Sequence, residues 1–174
     1  MEPGNGKHSE HRMEFWKLDS RARFSVSLEG LSEAPEMDLV ILQRALELSV
    51  DPANEDILIL AHGSGDDDEN ERWVQNINER ASLLRREGGF HSVKVTTLRE
   101  DWPEKREAAQ AGVREFVSTH RSAGRRVLVI HYRVYGFGPY AQVLDGLDYV
   151  TDEKGQVPHP AVADWIERQT GLPE

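Results

Sequence analysis

Residues 57–61, Ile-Leu-Ile-Leu-Ala, form an unbroken apolar run that passes directly into His62-Gly63-Ser64-Gly65 and then into Asp66-Asp67-Asp68-Glu69. A strand with one wet face alternates apolar and polar residues, whereas a continuous run marks a strand buried on both faces, as in a parallel sheet covered by helices. The sequence that follows supports this reading. Residues 68–87 place Trp73, Ile77, Ala81 and Leu84 on one side of a predicted helix, with Gly88-Gly89 as its stop. Residues 93–98 alternate as a second strand, and Trp102-Pro103 opens a helix in which Ala109, Val113, Phe116 and Val117 face the core, ending near Gly124. Residues 126–134 give a third strand. A glycine-rich loop at 135–139, a short helix to about Leu147, a short strand at 148–150 and a last helix at 160–169 complete the pattern. Strands alternating with helices imply right-handed crossovers, and hence a three-layer α/β/α fold with a parallel sheet.

Upstream, Met37, Val40, Ile41, Ala45 and Leu48 recur at helical spacing after Pro35, so residues 36–49 should bury one face until Asp51-Pro52 ends the helix. Phe24, Val26 and Leu28 alternate with polar residues and predict a strand at 23–28. Residues 1–22 read as a disordered or linker tail, 23–55 as a lead-in that could end a preceding module, and 56–174 as the main α/β domain. Leu28-Glu-Gly-Leu31 is echoed by Leu144-Asp-Gly-Leu147, each followed by proline and an amphipathic helix, which would suit a duplicated protein.

Composition removes several classes of function. The net charge is −10, with 21 basic residues scattered among 31 acidic ones, so no phosphate-binding stripe is present and nucleic acid is not expected as a partner. No apolar run reaches the ~18 residues that span a bilayer, so no membrane role is expected and a cytoplasmic protein is. There is no cysteine, so any metal must be held by histidine and carboxylate. Neither G-x-G-x-x-G nor G-x-x-x-x-G-K-[ST] occurs, so no nucleotide cofactor is expected. A hydrolase lacks its G-x-S-x-G nucleophile, since Ser64 stands in His-Gly-Ser-Gly-Asp.

In parallel sheets, ligands bind beyond the carboxyl ends of the strands, which is where His62 falls. Gly63 and Gly65 permit a sharp turn, Ser64 offers a hydroxyl, and the acidic cluster suits the N-cap and first turn of the next helix. His8 and His11 read as solvated tail residues, His91 and His120 as surface residues, and His159 as a cap or packing residue. His131 reads either as a hydrogen-bonded core histidine or as a ligand. Tyr135, Phe137 and Tyr140 read either as an aromatic wall at the sheet edge or as a packed connection.

An apolar strand ending in Ala61-His62-Gly63-Ser64 and followed by a charged helix resembles the opening strand of the sirohydrochlorin cobaltochelatase and ferrochelatase family. Thr97-Leu98 with Pro103, residues 127–134 and Val157-Pro158-His159-Pro160 are similar to that family's later segments, and residues 35–48 to the lead-in of its duplicated members. The resemblance covers most of residues 30–170. It implies a chelatase-like fold and an ATP-independent enzyme inserting Co2+ or Fe2+, as substrate, into a sirohydrochlorin-type tetrapyrrole. His62 matches the family's first metal histidine, Glu100 or Asp101 would accept pyrrole protons, and Ser64, Arg133, Tyr135 and Phe137 would contact the macrocycle. Where the family has its second histidine this chain reads Gly136-Phe137-Gly138-Pro139. Three explanations follow: His131 supplies the second ligand, a homodimer partner or upstream chelatase-like module does, or the chain is a non-catalytic module that binds tetrapyrrole or metal or packs against a partner half.

Overall fold

The computed structural model describes residues 19–21, 24, 26, 27 and 29–171. Three parallel strands, β1 (Glu55–Ala61), β2 (Ser92–Thr97) and β3 (Arg126–Tyr132), lie in the order β2-β1-β3. β1 is central and buried along its whole length, which accounts for its unbroken apolar run. Its alternate side chains feed two cores. Ile57, Ile59 and Ala61 join Leu128 and Ile130 under α1 (Glu36–Leu48), α2 (Asp67–Arg80), α3 (Ser82–Glu87) and α6 (Pro160–Thr170). Leu58 and Leu60 join Val127 and Val129 under α4 (Pro103–Ser122) and α5 (Tyr140–Val143). The result is the three-layer α/β/α architecture expected. Met37, Val40, Ile41 and Ala45 of α1 are buried in the same core as β1.

Four expectations need correction. The strand at 23–28 is not formed by the residues described there: Phe24 and Val26 are exposed and outside any strand, and residues 23, 25 and 28 lie outside the described residues, as do His8, His11 and the first eighteen residues. The helix at 68–87 is two helices. It turns at the fully buried Ala81, and the Arg85 guanidinium folds back to donate to the carbonyl of Asn78 at 2.9 Å, satisfying a group at the break. β3 stops at Tyr132, two residues early. The strand at 148–150 is reduced to one parallel bridge, Val150 to Leu128, after which the N–H groups of Gln156 and Val157 donate to the carbonyls of Arg133 and Val134.

The amino edge of the sheet is closed by charge. Asp56 is fully buried and receives Ser92 Oγ (2.5 Å), Arg125 Nε (2.5 Å) and the Nδ1 atoms of His91 (2.8 Å) and His120 (2.7 Å). Glu55 beside it, equally buried, pairs with Arg126 and accepts from Ser49 Oγ and the Val50 N–H. His91 and His120 are therefore not merely surface residues, because the parallel register that sets Asp56 beside Ser92 also brings both imidazoles onto one carboxylate.

Candidate functional site

At the carboxyl edge the chain leaves β1 through His62. The N–H groups of Leu98 and Arg99 donate to the carbonyls of Ala61 (2.8 Å) and His62 (2.6 Å), carrying the ladder one step beyond the strands. Gly63 then turns with φ +86°, where a Cβ would stand 2.7 Å from both Asn70 Oδ1 and Thr97 Cβ, so only glycine fits. Arg99 fastens the loop, with Nε to the carbonyl of Ser64 (2.6 Å), Nη2 to that of Gly65 (2.8 Å) and Nη1 to Asp67 (2.6 Å). Asp66 caps α2 by accepting from the Glu69 N–H, so the acidic cluster serves the helix terminus. Ser64 is buried with its hydroxyl donating to Glu69 Oε2 at 2.6 Å, which turns it into the loop.

The His62 ring lies between two carboxylates. Nδ1 is 3.3 Å from Glu100 Oε2 and Nε2 is 3.2 Å from Asp101 Oδ2. Glu100 is largely buried and accepts from Arg133 Nη1 at 2.6 Å, whereas Asp101 is 72% exposed. Arg133 lies over the Tyr140 ring, 5.5 Å from its centroid, and against Gly138, where a Cβ would come within 2.9 Å of the guanidinium carbon. The glycine-rich loop thus seats the arginine that holds Glu100. Burial alone would lower the Arg133 pKa, but Tyr140 and Glu100 beside it raise it above the ordinary arginine value. Trp102 stands edge-on to His62 at 6.1 Å, and its indole fills the space in which any side chain at position 65 would sit.

A groove of about 460 Å3 opens beside this cluster, walled by His62, Arg133, Tyr135, Trp73, Tyr132 and Gln156, within the size range of small-molecule sites. Tyr135 is exposed along it. Phe137 is not: it is buried among His131, Tyr140 and Tyr149, so two of the three loop aromatics form a packed connection. Trp73, expected in the core, is 40% exposed at the groove rim, because Ile77 alone of the α2 residues is buried. Position-by-position reasoning also left Tyr132 and Gln156 out of the site. The signal for Tyr132 was its place at the carboxyl end of β3, level with Ala61.

His131 pairs in register with Leu60 and is 2% exposed, edge-on to Phe137 at 5.0 Å. Neither ring nitrogen makes a well-formed hydrogen bond to a described residue, and burial pushes its pKa down to about 4, so it is a neutral core residue. His159 caps α6, its Nδ1 accepting from the Ala161 N–H. Among the described residues no group of three or more histidine or acidic side chains is arranged to hold a metal ion. The geometry gives the reason at His62: its two carboxylates lie on opposite ring nitrogens, so an ion on either nitrogen meets one carboxylate.

A parallel sheet flanked by helices on both faces, with its groove at the carboxyl edge, places the chain in a chelatase-like α/β architecture. It is similar to DR2241 from Deinococcus radiodurans, a multi-domain protein with structural similarity to chelatases and two additional novel domains. The TM-score is 0.51 at 21% identity, over 78% of this chain and 29% of DR2241. The chain therefore spans less than a third of that protein's length, and the likeness is one of fold. No protein-family model and no curated protein sequence matches the chain. No helix among the described residues is long and apolar enough to cross a membrane.

Proposed function

We propose that the carboxyl edge of this domain presents a divalent first-row metal ion, Co2+ or Fe2+, as substrate to a tetrapyrrole held in the adjoining groove. The observation that carries this reading is the His62 ring with a carboxylate at each nitrogen. With Glu100, held by Arg133, 3.3 Å from Nδ1, a proton kept on that nitrogen leaves the Nε2 lone pair facing Asp101, the carboxylate–histidine arrangement that orients metal-binding imidazoles. Nε2 and the Asp101 carboxylate then form a nitrogen–oxygen donor pair suited to such ions, with the remaining positions open to solvent and macrocycle. Asp101, exposed to solvent, would also pass the two pyrrole protons released as the ion enters, one at a time, on to water. Glu100 serves as the group that fixes the ring.

The test is Co2+ binding by calorimetry to the wild type, His62→Ala, Asp101→Asn and His131→Ala, with metal insertion into sirohydrochlorin followed by its absorbance. Wild type should bind one ion per site, the first two substitutions should weaken it at least about tenfold, and His131→Ala should leave it unchanged. Wild-type affinity in His62→Ala overturns the reading. A second reading, a module that binds metal or tetrapyrrole without inserting one into the other, is favoured by the two-donor geometry. It takes over where both ligands bind and insertion runs at the uncatalysed rate. Weakened Co2+ binding in His131→Ala would instead return that residue to the site as the replacement for the family's second histidine.

A further inference from the structure

Arg99 adopts a backbone conformation that its residue type disfavours. Its φ is +55°, in the left-handed region, where among the described non-glycine residues Glu153 alone joins it. Such an outlier persists where its surroundings over-determine it, and here backbone and side chain are both tied down. The Arg99 N–H donates to the carbonyl of His62 at 2.6 Å, and its own carbonyl accepts from the Trp102 N–H at 3.1 Å. Its side chain, 15% exposed, reaches the carbonyls of Ser64 and Gly65 and the carboxylate of Asp67.

The bond from Trp102 to Arg99 closes a four-residue turn whose central residues are Glu100 and Asp101, the pair that flanks His62. This acidic turn is fastened to the His-Gly loop at both ends. Arg99 holds its start through the two loop carbonyls. The Trp102 indole holds its end by packing against Gly65, where a Cβ would lie 2.1 Å from Nε1. Between these two fixed points, consecutive carboxylates stand at opposite nitrogens of one imidazole.

We infer that Arg99 is the positioning residue of the His62 site. Its guanidinium and its left-handed backbone lock the His-Gly loop and the acidic turn into one unit, so that Glu100 and Asp101 are set on the ring before an ion arrives. The consequence for metal binding rests on the reading proposed above, whereas the consequence for the ring rests on the geometry alone. Arg99 itself touches no ion, and acts through the two carboxylates.

The test uses Arg99→Lys, Arg99→Gly and Arg99→Ala in the full chain, with folding checked by circular dichroism. Lysine keeps the charge, but one ammonium cannot reproduce the fork across Ser64, Gly65 and Asp67. Glycine and alanine both remove the fork, and of the two only glycine takes φ +55° without strain. Nitrogen-15 NMR of the metal-free, histidine-labelled protein, with His62→Gln for assignment, should show the His62 ring nitrogens displaced in all three variants. The rings of His91 and His120, at the opposite edge of the sheet, should stay unchanged. In calorimetry Co2+ affinity should fall about tenfold in Arg99→Lys and Arg99→Gly, and further in Arg99→Ala. Wild-type ring shifts in folded Arg99→Lys and Arg99→Gly overturn the inference, as does Co2+ affinity equal to that of the wild type in both. Arg99→Ala no weaker than Arg99→Gly overturns the role of the backbone. Where Arg99→Ala does not fold, the lysine and glycine variants decide. Absence of Co2+ binding to the wild type overturns the metal reading instead, and the ring shifts still decide on Arg99.

Discussion

Replacing Asp56 by asparagine keeps the shape of the side chain at the amino edge of the sheet and removes its charge. The carboxylate is fully buried, and its donors come from three separate elements: His91 and Ser92 at the start of β2, His120 on α4, and Arg125 before β3. Burial by itself would raise its pKa. The hydrogen bonds from Ser92, His91, Arg125 and His120 outweigh that and hold it at about 2, below the ordinary 3.8. Because the folded value is the lower one, the unfolded chain takes up the proton first as the pH falls. The contribution is complete above the ordinary value and disappears as the pH drops through about 2, and a displacement of this size corresponds to about 2.5 kcal/mol. At pH 7 the Asp56→Asn protein should be about 3 kcal/mol less stable, a loss of ~6–12 °C in Tm, since the buried amide offers hydrogens to groups that are themselves donors. Urea denaturation from pH 7 to pH 2 should show the gap narrowing by about 1 kcal/mol at pH 3 and about 2 kcal/mol at pH 2. A gap that stays constant from pH 7 to pH 3 would refute the assignment of that carboxylate as the charged clasp.

Three further outcomes are expected. Gly63→Ala meets Asn70 and Thr97 at 2.7 Å in a left-handed conformation and should cost about 2–4 kcal/mol by chemical denaturation; a loss under about 1 kcal/mol would show that the loop can relax. His131 has its pKa lowered by burial to about 4, so its contribution is complete above the ordinary 6.5 and is lost as the pH falls toward 4. His131→Leu should therefore gain about 2 kcal/mol on the wild type between pH 7.5 and pH 5, and parallel stability profiles would contradict a neutral buried ring. Arg133→Lys keeps a charge but cannot both lie over Tyr140 and reach Glu100, so Co2+ affinity should fall about tenfold with the fold intact by circular dichroism; undiminished affinity would remove Glu100 from the site.

Where sequence reasoning succeeded, a single local signal was sufficient. The run at 57–61 announced a central parallel strand, proline at 35 and 103 announced helix starts, and the position of His62 after a buried strand announced its place at the carboxyl edge of the sheet, where a groove opens. It failed where the deciding contact is long-range. Phe24 and Val26 alternate as a strand should, but the pattern does not supply a partner strand, and both are exposed. Trp73 sits on the apolar stripe of α2, yet whether a stripe is covered depends on what packs against it, and the Leu31–Glu33 turn leaves a hollow there. Asp56, His91 and His120 are up to 64 residues apart, by their numbers 56 and 120, and only the register of β1 with β2 and the length of α4 bring them together. The glycine-rich loop was legible as a loop. Its task of seating Arg133 was not, because that depends on a guanidinium entering from the preceding strand end.

The two edges of the sheet use the same residue types for opposite purposes. At the amino edge His91 meets Asp56 at 2.8 Å, and that carboxylate is sealed from water with a donor on every side. Such an arrangement has no spare lone pair to offer a ligand, so it acts as a fixed clasp. At the carboxyl edge His62 meets its carboxylates at 3.2 and 3.3 Å, the imidazole is one-third exposed, and Asp101 stands almost free in solvent. Those contacts are longer than a well-formed charged hydrogen bond, so displacing one by a better partner is inexpensive. Glu100 is the exception within that cluster, since it is largely buried and paired with Arg133, which is itself held over the Tyr140 ring and against Gly138. One side of the His62 ring is thereby the more restricted and the other the more exchangeable, the asymmetry that the proposed metal-binding role asks of an imidazole.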